Sequence, residues 1–213
     1  MSGLQQYEAF NDWKTYSGES DARIAKAVRY IRKSKGNRLL DVGGGNQGIG
    51  DYLSDTWQCA TLDIVDGADI IRDIDEPWLV DERFDVIFCG EVIEHAMDTR
   101  HFLSELRRCL SEEGVAVLTT PNLASWRNRL RLLFGRQPHH TDHMYHYHIY
   151  AKKHLDGLLE SCGFRILESC SSGLVFTFRG GVLLRGFGMW LGEVFPSLGH
   201  HLVYRLEKKE VSK

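Results

Sequence analysis

The chain has 213 residues, of which 43% are hydrophobic and 26% are charged. This length and composition suit one α/β domain with a complete core and leave little room for a second independent domain. The 26 basic and 29 acidic residues give a formal net charge of −3, so the chain lacks the overall positive charge that attracts a polyanion, and neither DNA nor RNA is expected as a partner.

The hydrophobic pattern alternates between helical and strand periods along the chain. Residues 20–34 have a helical period, and residues 38–42 form the first apolar strand. Further strands are predicted at 59–64, near 70, and at 84–89, 115–120, 164–170 and 202–206, and further helices at 49–56, 91–110 and 151–162. This alternation predicts the α/β class, with a doubly wound, mostly parallel sheet and helices on both faces.

The first strand runs into a glycine-rich loop. Gly43-Gly44-Gly45-Asn46-Gln47-Gly48 follows Val42, and Asp63 comes about 20 residues after the loop begins. Glycines let a ligand lie against bare backbone, and the start of a following helix offers unpaired N–H groups. Because Gly43, Gly45 and Gly48 also satisfy the dinucleotide fingerprint, the loop alone leaves two kinds of nucleotide cofactor open.

A carboxylate at the end of the first strand separates these two cofactors. Asp41 stands two residues before the first glycine, where its negative charge would repel the pyrophosphate of a dinucleotide. The same charge attracts S-adenosylmethionine, which carries a sulfonium and an ammonium group, while Asp63 can accept hydrogen bonds from ribose hydroxyls. We therefore predict S-adenosylmethionine as the cofactor and keep an NAD-dependent oxidoreductase as an alternative.

Three segments carry a resemblance to a known family: Leu40 to Gly45, Thr61 to Ile64, and Phe84 to His95. Over roughly residues 20–172 the chain resembles the class I S-adenosylmethionine-dependent methyltransferases of the bacterial methyltransferase-domain type. The resemblance implies a Rossmann-like, seven-stranded sheet with an antiparallel closing strand. One departure is Gln47, which stands where the family usually has its third glycine.

The resemblance also implies roles for individual residues. Asp41 would lie near the methionine end of the donor, Asp63 would bind the ribose diol, and Asp73 would meet the adenine amino group. Glu91 would lie near the methionine moiety. The remaining predicted cofactor-binding residues are Gly43, Gly45 and Ile64.

A second cluster of polar residues follows the fourth predicted strand. Glu91, Glu94 and His95 stand at i, i+3 and i+4, so a helix there would place them on one face within reach of a shared ion, and His146 could complete such a site. The metal-dependent methyltransferases that modify the 3′-terminal ribose of small RNAs are similar in this run and in Thr120-Pro121-Asn122. Many bacterial methyltransferases share the run without a recognised metal, and we predict no metal site.

Half of the ten histidines lie in one stretch of ten residues, 139–148. The stretch lacks the regular four-ligand spacing of a structural zinc site. The family resemblance singles out His146, because a histidine commonly stands nine residues before an apolar helix position, here Leu155. A near-neutral pKa suits a histidine to proton transfer, so we predict His146 as the catalytic base, with His95 as the second candidate.

Two apolar insertions interrupt the predicted fold. An arginine-rich amphipathic segment follows Asn122, and a glycine-rich aromatic segment separates the last two strands. The first would grip an anionic substrate, lie on a membrane surface, or pack as a helix that exposes its arginines. The second would either bury its own side chains as a helical cap or wall a pocket for a hydrophobic or lipid-linked acceptor at the membrane interface. We predict one methyltransferase domain over residues 1–213, with an N-terminal helical segment at 1–36 and a substrate lid formed by the insertions 122–150 and 173–199.

Cysteine usage and the N-terminus indicate the compartment. The five cysteines form no C-x-x-C pair, residues 1–12 show no signal-peptide pattern, and charged residues interrupt the most apolar region before it reaches a membrane-spanning length. We predict a cytoplasmic protein with peripheral contact at the inner membrane face.

The predicted function is transfer of a methyl group from S-adenosylmethionine to a small-molecule or lipid- or glycan-linked acceptor. The alternatives are a metal-dependent RNA 3′-terminal 2′-O-methyltransferase, an NAD-dependent oxidoreductase, and a non-catalytic subunit that binds the donor. The oligomeric state stays open.

Overall fold

The computed structural model describes residues 19–45, 48–141, 144–174 and 190–209. The N-terminal segment before residue 19 and most of the predicted lid at 173–199 therefore lie outside the described residues. Two residues of the glycine loop, Asn46 and Gln47, and two of the histidine stretch, Asp142 and His143, also lie outside them.

The strands are β1 (Arg38–Val42), β2 (Gln58–Asp63), β3 (Ile70–Ile71), β4 (Phe84–Gly90), β5 (Leu110–Pro121), β6 (Phe164–Ser171) and β7 (His201–Lys208). They form one seven-stranded sheet in the order β3-β2-β1-β4-β5-β7-β6. Neighbouring strands from β3 to β5 are parallel, whereas β7 is antiparallel to both β5 and β6. The predicted fold class is confirmed: a mostly parallel sheet with one antiparallel strand near its edge.

Helices cover both faces of the sheet. Four α-helices have described bounds, namely α1 (Glu19–Ile31), α2 (Thr99–Cys109), α3 (Trp126–Leu133) and α4 (Lys152–Ser161). Because successive strand residues point to opposite faces, Leu39 and Val86 pack with α1 in one apolar cluster. Their neighbours Leu40 and Ile87 pack with residues of α2 and α4 in the other cluster. The central strands are thus buried on both sides, as a parallel sheet requires.

Two helical predictions are wrong in their extent. Residues 49–56 were expected to form a helix, but only a 3₁₀ turn forms, at Ile49–Tyr52. The expected helix at 91–110 is divided into a 3₁₀ turn, Ile93–His95, and α2. The cause of this division is Asp98, whose side chain accepts hydrogen bonds from the N–H groups of two residues in the first turn of α2, so that it starts a new helix.

The fifth strand is longer than its predicted span of 115–120. It begins at Leu110, directly after α2, and continues to Pro121. Gly114 lies inside the strand. The pairing with β4 is irregular between Phe84 and Val86, which accommodates this early entry of the chain into the sheet.

Within the parts of the chain that are described, no helix has both the length and the apolar character to cross a bilayer.

The packing of α2 on the sheet can be tested at Phe102. This side chain is fully buried and packs edge to face on Trp78, with ring centroids 5.7 Å apart. Truncation in Phe102→Ala leaves a cavity, and we expect the free energy of unfolding to fall by about 3–5 kcal/mol. Urea denaturation measures the change. Leu79→Ala is the control, because Leu79 is 69% exposed and surface changes of this kind stay within about 0.5 kcal/mol. Equal losses in both variants would contradict the packing described.

Candidate functional site

The predicted site residues collect at one edge of the sheet. Asp41 lies in β1, Asp63 ends β2, Glu91 follows β4, and Thr120 lies near the end of β5. Carboxyl ends of neighbouring parallel strands meet at the same edge, where α/β proteins bind ligands. Sequence positions up to 79 residues apart, as counted from Asp41 to Thr120, are brought to one crevice by this topology.

The glycine loop after β1 is held in a conformation that side chains disfavour. Gly43 has a φ of 77° and Gly45 a φ of 54°, both in the left-handed region where glycine is preferred. A Cβ atom added to Gly43 would lie 2.4 Å from Cγ2 of Val92. The loop therefore presents backbone rather than side chains to the crevice.

Asp41 lies beneath this loop rather than in open solvent. It is 2% exposed, and its Oδ2 accepts a hydrogen bond from the N–H of Ile49 at 2.6 Å. Burial raises the pKa of Asp41 to about 7, the backbone N–H of Ile49 opposes this shift, and the charges of Asp63 and Asp51 add to it. Asp41 is therefore not the fixed negative charge that its sequence position predicts. In the structure its ionisation near neutral pH depends on whether a cation lies nearby.

Asp63 ties β2 to the same loop. Its Oδ2 accepts from the N–H of Gly45 at 2.8 Å and its Oδ1 from the N–H of Ile64 at 2.7 Å. Burial raises the pKa of Asp63, and these backbone N–H groups oppose the shift. Each carboxylate oxygen has a second lone pair, so Asp63 can still accept from a pair of hydroxyl groups. Ile64 thus contributes through its backbone, which orients the carboxylate.

Asp73 lies two residues beyond β3. The last residue of that strand, Ile71, pairs with Asp63, so the two carboxylates belong to neighbouring strand ends. The Oδ1 atom of Asp73 accepts from the N–H of Asp75 at 3.0 Å, a local turn that fixes the side chain.

Glu91 is the one predicted site residue other than glycine with a left-handed backbone, since its φ is 60°. Its Oε1 accepts from Oγ1 of Thr119 at 2.9 Å and lies 3.8 Å from Nη1 of Arg23, while its Oε2 lies 3.5 Å from Nε2 of His201. A non-glycine residue held in this region costs about 1–3 kcal/mol and is typical of functional sites. Arg23 also donates to Thr119 at 2.8 Å, which joins α1 to this network.

Glu94 is buried deeper, with 1% of its surface exposed. Its Oε2 accepts from Oγ1 of Thr120 at 2.9 Å, whereas its Oε1 has no hydrogen-bond partner among the described residues. Burial, and then the charge of Glu91, raise the pKa of Glu94 well above its ordinary value. An unpaired buried carboxylate oxygen is costly, so this atom is a natural contact for a proton or a cation.

His95 and His146 face each other beside Glu94, with ring centroids 4.7 Å apart. Nδ1 of His95 lies 2.8 Å from the carbonyl oxygen of Tyr145, and Nδ1 of His146 lies 2.8 Å from that of His140. A carbonyl only accepts, so each Nδ1 carries a proton, and in the neutral ring Nε2 carries the lone pair. Glu94, His95 and His146 offer potential ligand atoms that all lie within 4.8 Å of one another.

The predicted one-faced helical arrangement of Glu91, Glu94 and His95 is wrong, because these residues do not share a helix. Glu91 follows the strand and faces Thr119, while Glu94 and His95 lie on the 3₁₀ turn and meet His146. The compact group is therefore Glu94 with the two histidines, and Glu91 belongs to the adjoining network.

The other described histidines of the stretch are not part of the compact group of Glu94, His95 and His146. The His140 ring lies 6.3 Å from that of His146 and 5.8 Å from that of His201. Burial, and then the neighbouring His201, lower the pKa of His140 to about 4, so that ring is neutral at physiological pH. Nε2 of His148 faces the carbonyl oxygen of Met97 at 3.3 Å. His146 is the member that lies against His95 and the buried carboxylate.

Three members of the site were not found from the sequence: Arg23, Thr119 and His201. Arg23 and His201 reach Glu91 from α1 and β7, elements far away in the chain. The position of His201 depends on the antiparallel register that pairs it with Pro121, which no local pattern indicates. The Thr119-Thr120 pair at the end of an apolar strand was a usable signal for polar groups lining the crevice.

The comparisons with known proteins agree with this geometry. Residues 16–169 match the family model described as a methyltransferase domain. The chain belongs to this methyltransferase family. The methyl donor of the family is S-adenosylmethionine, which confirms the predicted cofactor. No curated protein sequence matches the chain.

Solved structures of methyltransferases share the fold. An S-adenosylmethionine-dependent methyltransferase from Clostridium acetobutylicum is 13% identical with a TM-score of 0.59, the similarity covering 97% of this chain and 98% of the other. The 1,6-didemethyltoxoflavin-N1-methyltransferase from Burkholderia thailandensis, solved with its substrate and S-adenosylhomocysteine, is 15% identical with a TM-score of 0.62, over 96% of this chain and 84% of the other. The small RNA methyltransferase HEN1 is 17% identical with a TM-score of 0.61, over 91% of this chain but 26% of the other.

The crevice suits the donor of the family. Gly43 and Gly45 leave bare backbone at the loop, Asp63 keeps acceptor capacity for a diol, and Asp41 lies beneath the loop as a carboxyl that a cation would ionise. These features match a ligand that combines a ribose with positive charge.

The glycine loop is tested by Gly43→Ala. The change adds a Cβ at a positive φ, which costs about 1–2 kcal/mol, and forces it against Val92. We expect S-adenosylhomocysteine to bind about tenfold more weakly or worse, as measured by titration calorimetry. Gly157→Ala is the matched control, because that glycine lies in α4 with no atom within 4 Å of an added Cβ. Unchanged binding in Gly43→Ala would exclude this loop from the donor site.

Asp41→Asn tests the buried carboxyl. In the unfolded chain Asp41 has its ordinary pKa of 3.8, whereas in the folded protein its pKa is about 7. The folded state therefore binds more protons in this window, and the contribution of Asp41 to stability falls as the pH rises through it. Asparagine does not ionise, so the stability of Asp41→Asn relative to the unsubstituted protein should rise across the window, by about 4 kcal/mol at most. Urea denaturation at several pH values measures the difference, and a pH-independent difference would contradict the assignment.

Proposed function

We propose that the protein transfers a methyl group from S-adenosylmethionine to a hydroxyl, amine or carboxyl group of a small-molecule or lipid- or glycan-linked acceptor, with His146 as the general base. The observation that carries this proposal is the position of His146. Its ring packs on His95 beside Glu94 at the carboxyl edge of the sheet, and its Nδ1 is oriented by the carbonyl oxygen of His140.

The donor would be held by the residues of the first two strand ends. The backbone of Gly43 and Gly45 would lie against the donor, and Asp63 would accept hydrogen bonds from its ribose hydroxyls. Asp73 would lie toward the adenine of the donor. Asp41 would complement the positive charge of the donor. When bound, S-adenosylmethionine supplies a methyl carbon that is already activated by its positive sulfur. The protein therefore mainly has to orient the acceptor, an effect that can lower the barrier by several kcal/mol.

As the general base, His146 would accept a proton from the acceptor. With Nδ1–H donated to a backbone carbonyl, the lone pair of the neutral ring is on Nε2. That nitrogen can take the proton that an acceptor hydroxyl or amine loses as its oxygen or nitrogen attacks the methyl carbon. His95 has the same tautomer, fixed by Tyr145, and is the second candidate for this role. Glu91, tied to Arg23 and Thr119, would line the methionine side of the pocket.

The experiment compares His146→Asn and His95→Asn with His154→Asn, an exposed histidine on α4. Product formation is followed as S-adenosylhomocysteine release and as a mass gain on a panel of candidate acceptors. We expect His146→Asn to lower kcat by about 10²- to 10⁴-fold with donor affinity preserved, and His154→Asn to leave both unchanged. Full activity in His146→Asn would exclude it as the base. A panel without any product, despite donor binding, would favour the non-catalytic subunit.

A second candidate function has its own observation in favour. The compact group of Glu94, His95 and His146 includes a buried carboxylate oxygen without a described hydrogen-bond partner, and both histidines are oriented through Nδ1 as metal-binding histidines usually are. Such a group would suit the metal-dependent RNA 3′-terminal 2′-O-methyltransferase reaction, in which a cation would orient ribose hydroxyls. The net charge of −3 weighs against an RNA acceptor.

Metal binding decides between the two candidates. The second predicts one divalent cation per chain after reconstitution with Mn²⁺ or Mg²⁺, its loss in Glu94→Gln, and activity abolished by a chelator while S-adenosylhomocysteine still binds. The control is Glu160→Gln, an exposed carboxylate of α4. The first candidate predicts unchanged activity in the chelator. Absence of a bound cation in the reconstituted protein would exclude the second candidate.

A further inference from the structure

Helix α3 carries several exposed apolar side chains at its C-terminal end. Leu133 and Phe134 are 75% and 74% exposed, and Leu132 and Leu130 are 57% and 44% exposed. Leu130, Leu133 and Phe134 stand at i, i+3 and i+4 and therefore share one side of the helix end. Single exposed apolar residues are ordinary, but a contiguous group marks a contact surface. We call these four residues, with Arg129, Arg131 and Arg136, the α3 surface.

The helix end is built to hold this surface in place. Gly135 has a φ of 65°, its N–H bonds to the carbonyl of Leu132, and the N–H of Arg136 bonds to the carbonyl of Arg131 at 2.7 Å. This is the Schellman pattern that ends a helix in a fixed conformation. A Cβ added to Gly135 would meet no atom within 4 Å, so the glycine serves the turn and the residues before it project outward.

The charge around the apolar residues is positive throughout. The chain from Gly114 to Thr141 contains four arginines and no aspartate or glutamate, although the protein as a whole has a net charge of −3. Arg129 and Arg131 donate their Nε–H groups to the backbone carbonyls of Ala124 and Gln137 at 2.7 and 2.5 Å. These neutral partners orient the guanidinium groups without cancelling their charge.

A neighbouring segment extends the apolar area. Arg129 also donates to the carbonyl oxygen of Ser197 at 3.5 Å, which places α3 next to the 3₁₀ turn Pro196–Leu198. Phe195 and Val194, just before that turn, are 51% and 47% exposed. Apolar side chains from two segments, with arginines on α3 beside them, form the composition that binds at the interface of an anionic bilayer.

The α3 surface is connected to the site by a short stretch of chain. The N–H of His139 bonds to Oδ1 of Asn128 on α3 at 2.8 Å, and the next residue, His140, contacts the rings of His146 and His201. Six positions separate Phe134 from His140. A group at the membrane surface would therefore lie close to the proposed base.

From these observations we infer that the α3 surface docks on the surface of an anionic lipid bilayer, so that the acceptor is presented to the site as the head group of a membrane-embedded lipid. The inference of membrane contact depends only on the exposed residues of the α3 surface and not on the proposed function. The assignment of the acceptor as lipid-linked rests also on the function proposed above.

The test is co-sedimentation of the full chain with vesicles. We expect binding to vesicles of equal parts phosphatidylcholine and phosphatidylglycerol, little binding to vesicles of pure phosphatidylcholine, and weakening at high salt. Phe134→Glu should weaken binding about tenfold or more, and Arg136→Gln about fivefold, as one arginine near an anionic surface does. The control is Leu79→Glu, since Leu79 is also 69% exposed but lies near the amino end of β4, at the opposite edge of the sheet.

Each other outcome overturns the inference. Absence of binding to both kinds of vesicle does so, as does equal binding to both, or equal weakening by Phe134→Glu and Leu79→Glu. Self-association of the chain that Phe134→Glu abolishes, without vesicle binding, would assign the surface to a second copy. Calorimetry with S-adenosylhomocysteine on the same samples separates the two proposals: vesicle binding without donor binding contradicts the proposed function, and donor binding without vesicle binding contradicts only this inference.

Discussion

The candidate site depends on one buried carboxyl and the turn that surrounds it. Asp41 lies near the end of β1, beneath the glycine loop. Its carboxylate accepts a hydrogen bond from the N–H of Ile49, which joins the end of the strand to the residue after the loop. Asp63 holds the same loop from β2 through Gly45. The conformation of the glycine loop is thus fixed from two strand ends. Both carboxylates that fix it are difficult to ionise because they are buried. A positively charged ligand would relieve this cost, so the construction of the loop and the charge of the donor are physically linked.

The second half of the site is held together across long sequence separations. Glu91 turns the chain at the end of β4 with a left-handed backbone, and its carboxylate is surrounded by Arg23, Thr119 and His201. These partners come from α1, β5 and β7. A strained residue persists only where its surroundings determine its conformation, and here three separate elements do so. The part of the crevice around Glu91 is therefore held by tertiary contacts, whereas the glycine loop with Asp41 and Asp63 is largely local.

This difference explains what could be predicted from the sequence. The glycine loop with its two carboxylates follows from short-range patterns, namely an apolar strand, glycines that require positive φ, and acidic residues at strand ends, and the sheet follows from the alternation of strand and helix periods. The contacts of Glu91 depend on strand register and helix placement, which local patterns do not encode. The division of residues 91–110 had a signal that was missed: Asp98 is a strong helix-starting residue in the middle of the supposed helix.

The place of β7 has a consequence for how the protein matures. Among the described strands it is the last in sequence, yet it inserts between β5 and β6 and carries His201 to Glu91, which lies 110 residues earlier. During synthesis on the ribosome, β1 to β5 emerge first, and the glycine loop with Asp41 and Asp63 lies entirely within this part of the chain. The contact of His201 with Glu91 forms only when the antiparallel pair of β6 and β7 has docked, a long-range pairing that is slow by nature. A nascent chain would therefore form the glycine loop before the surroundings of Glu91 are complete.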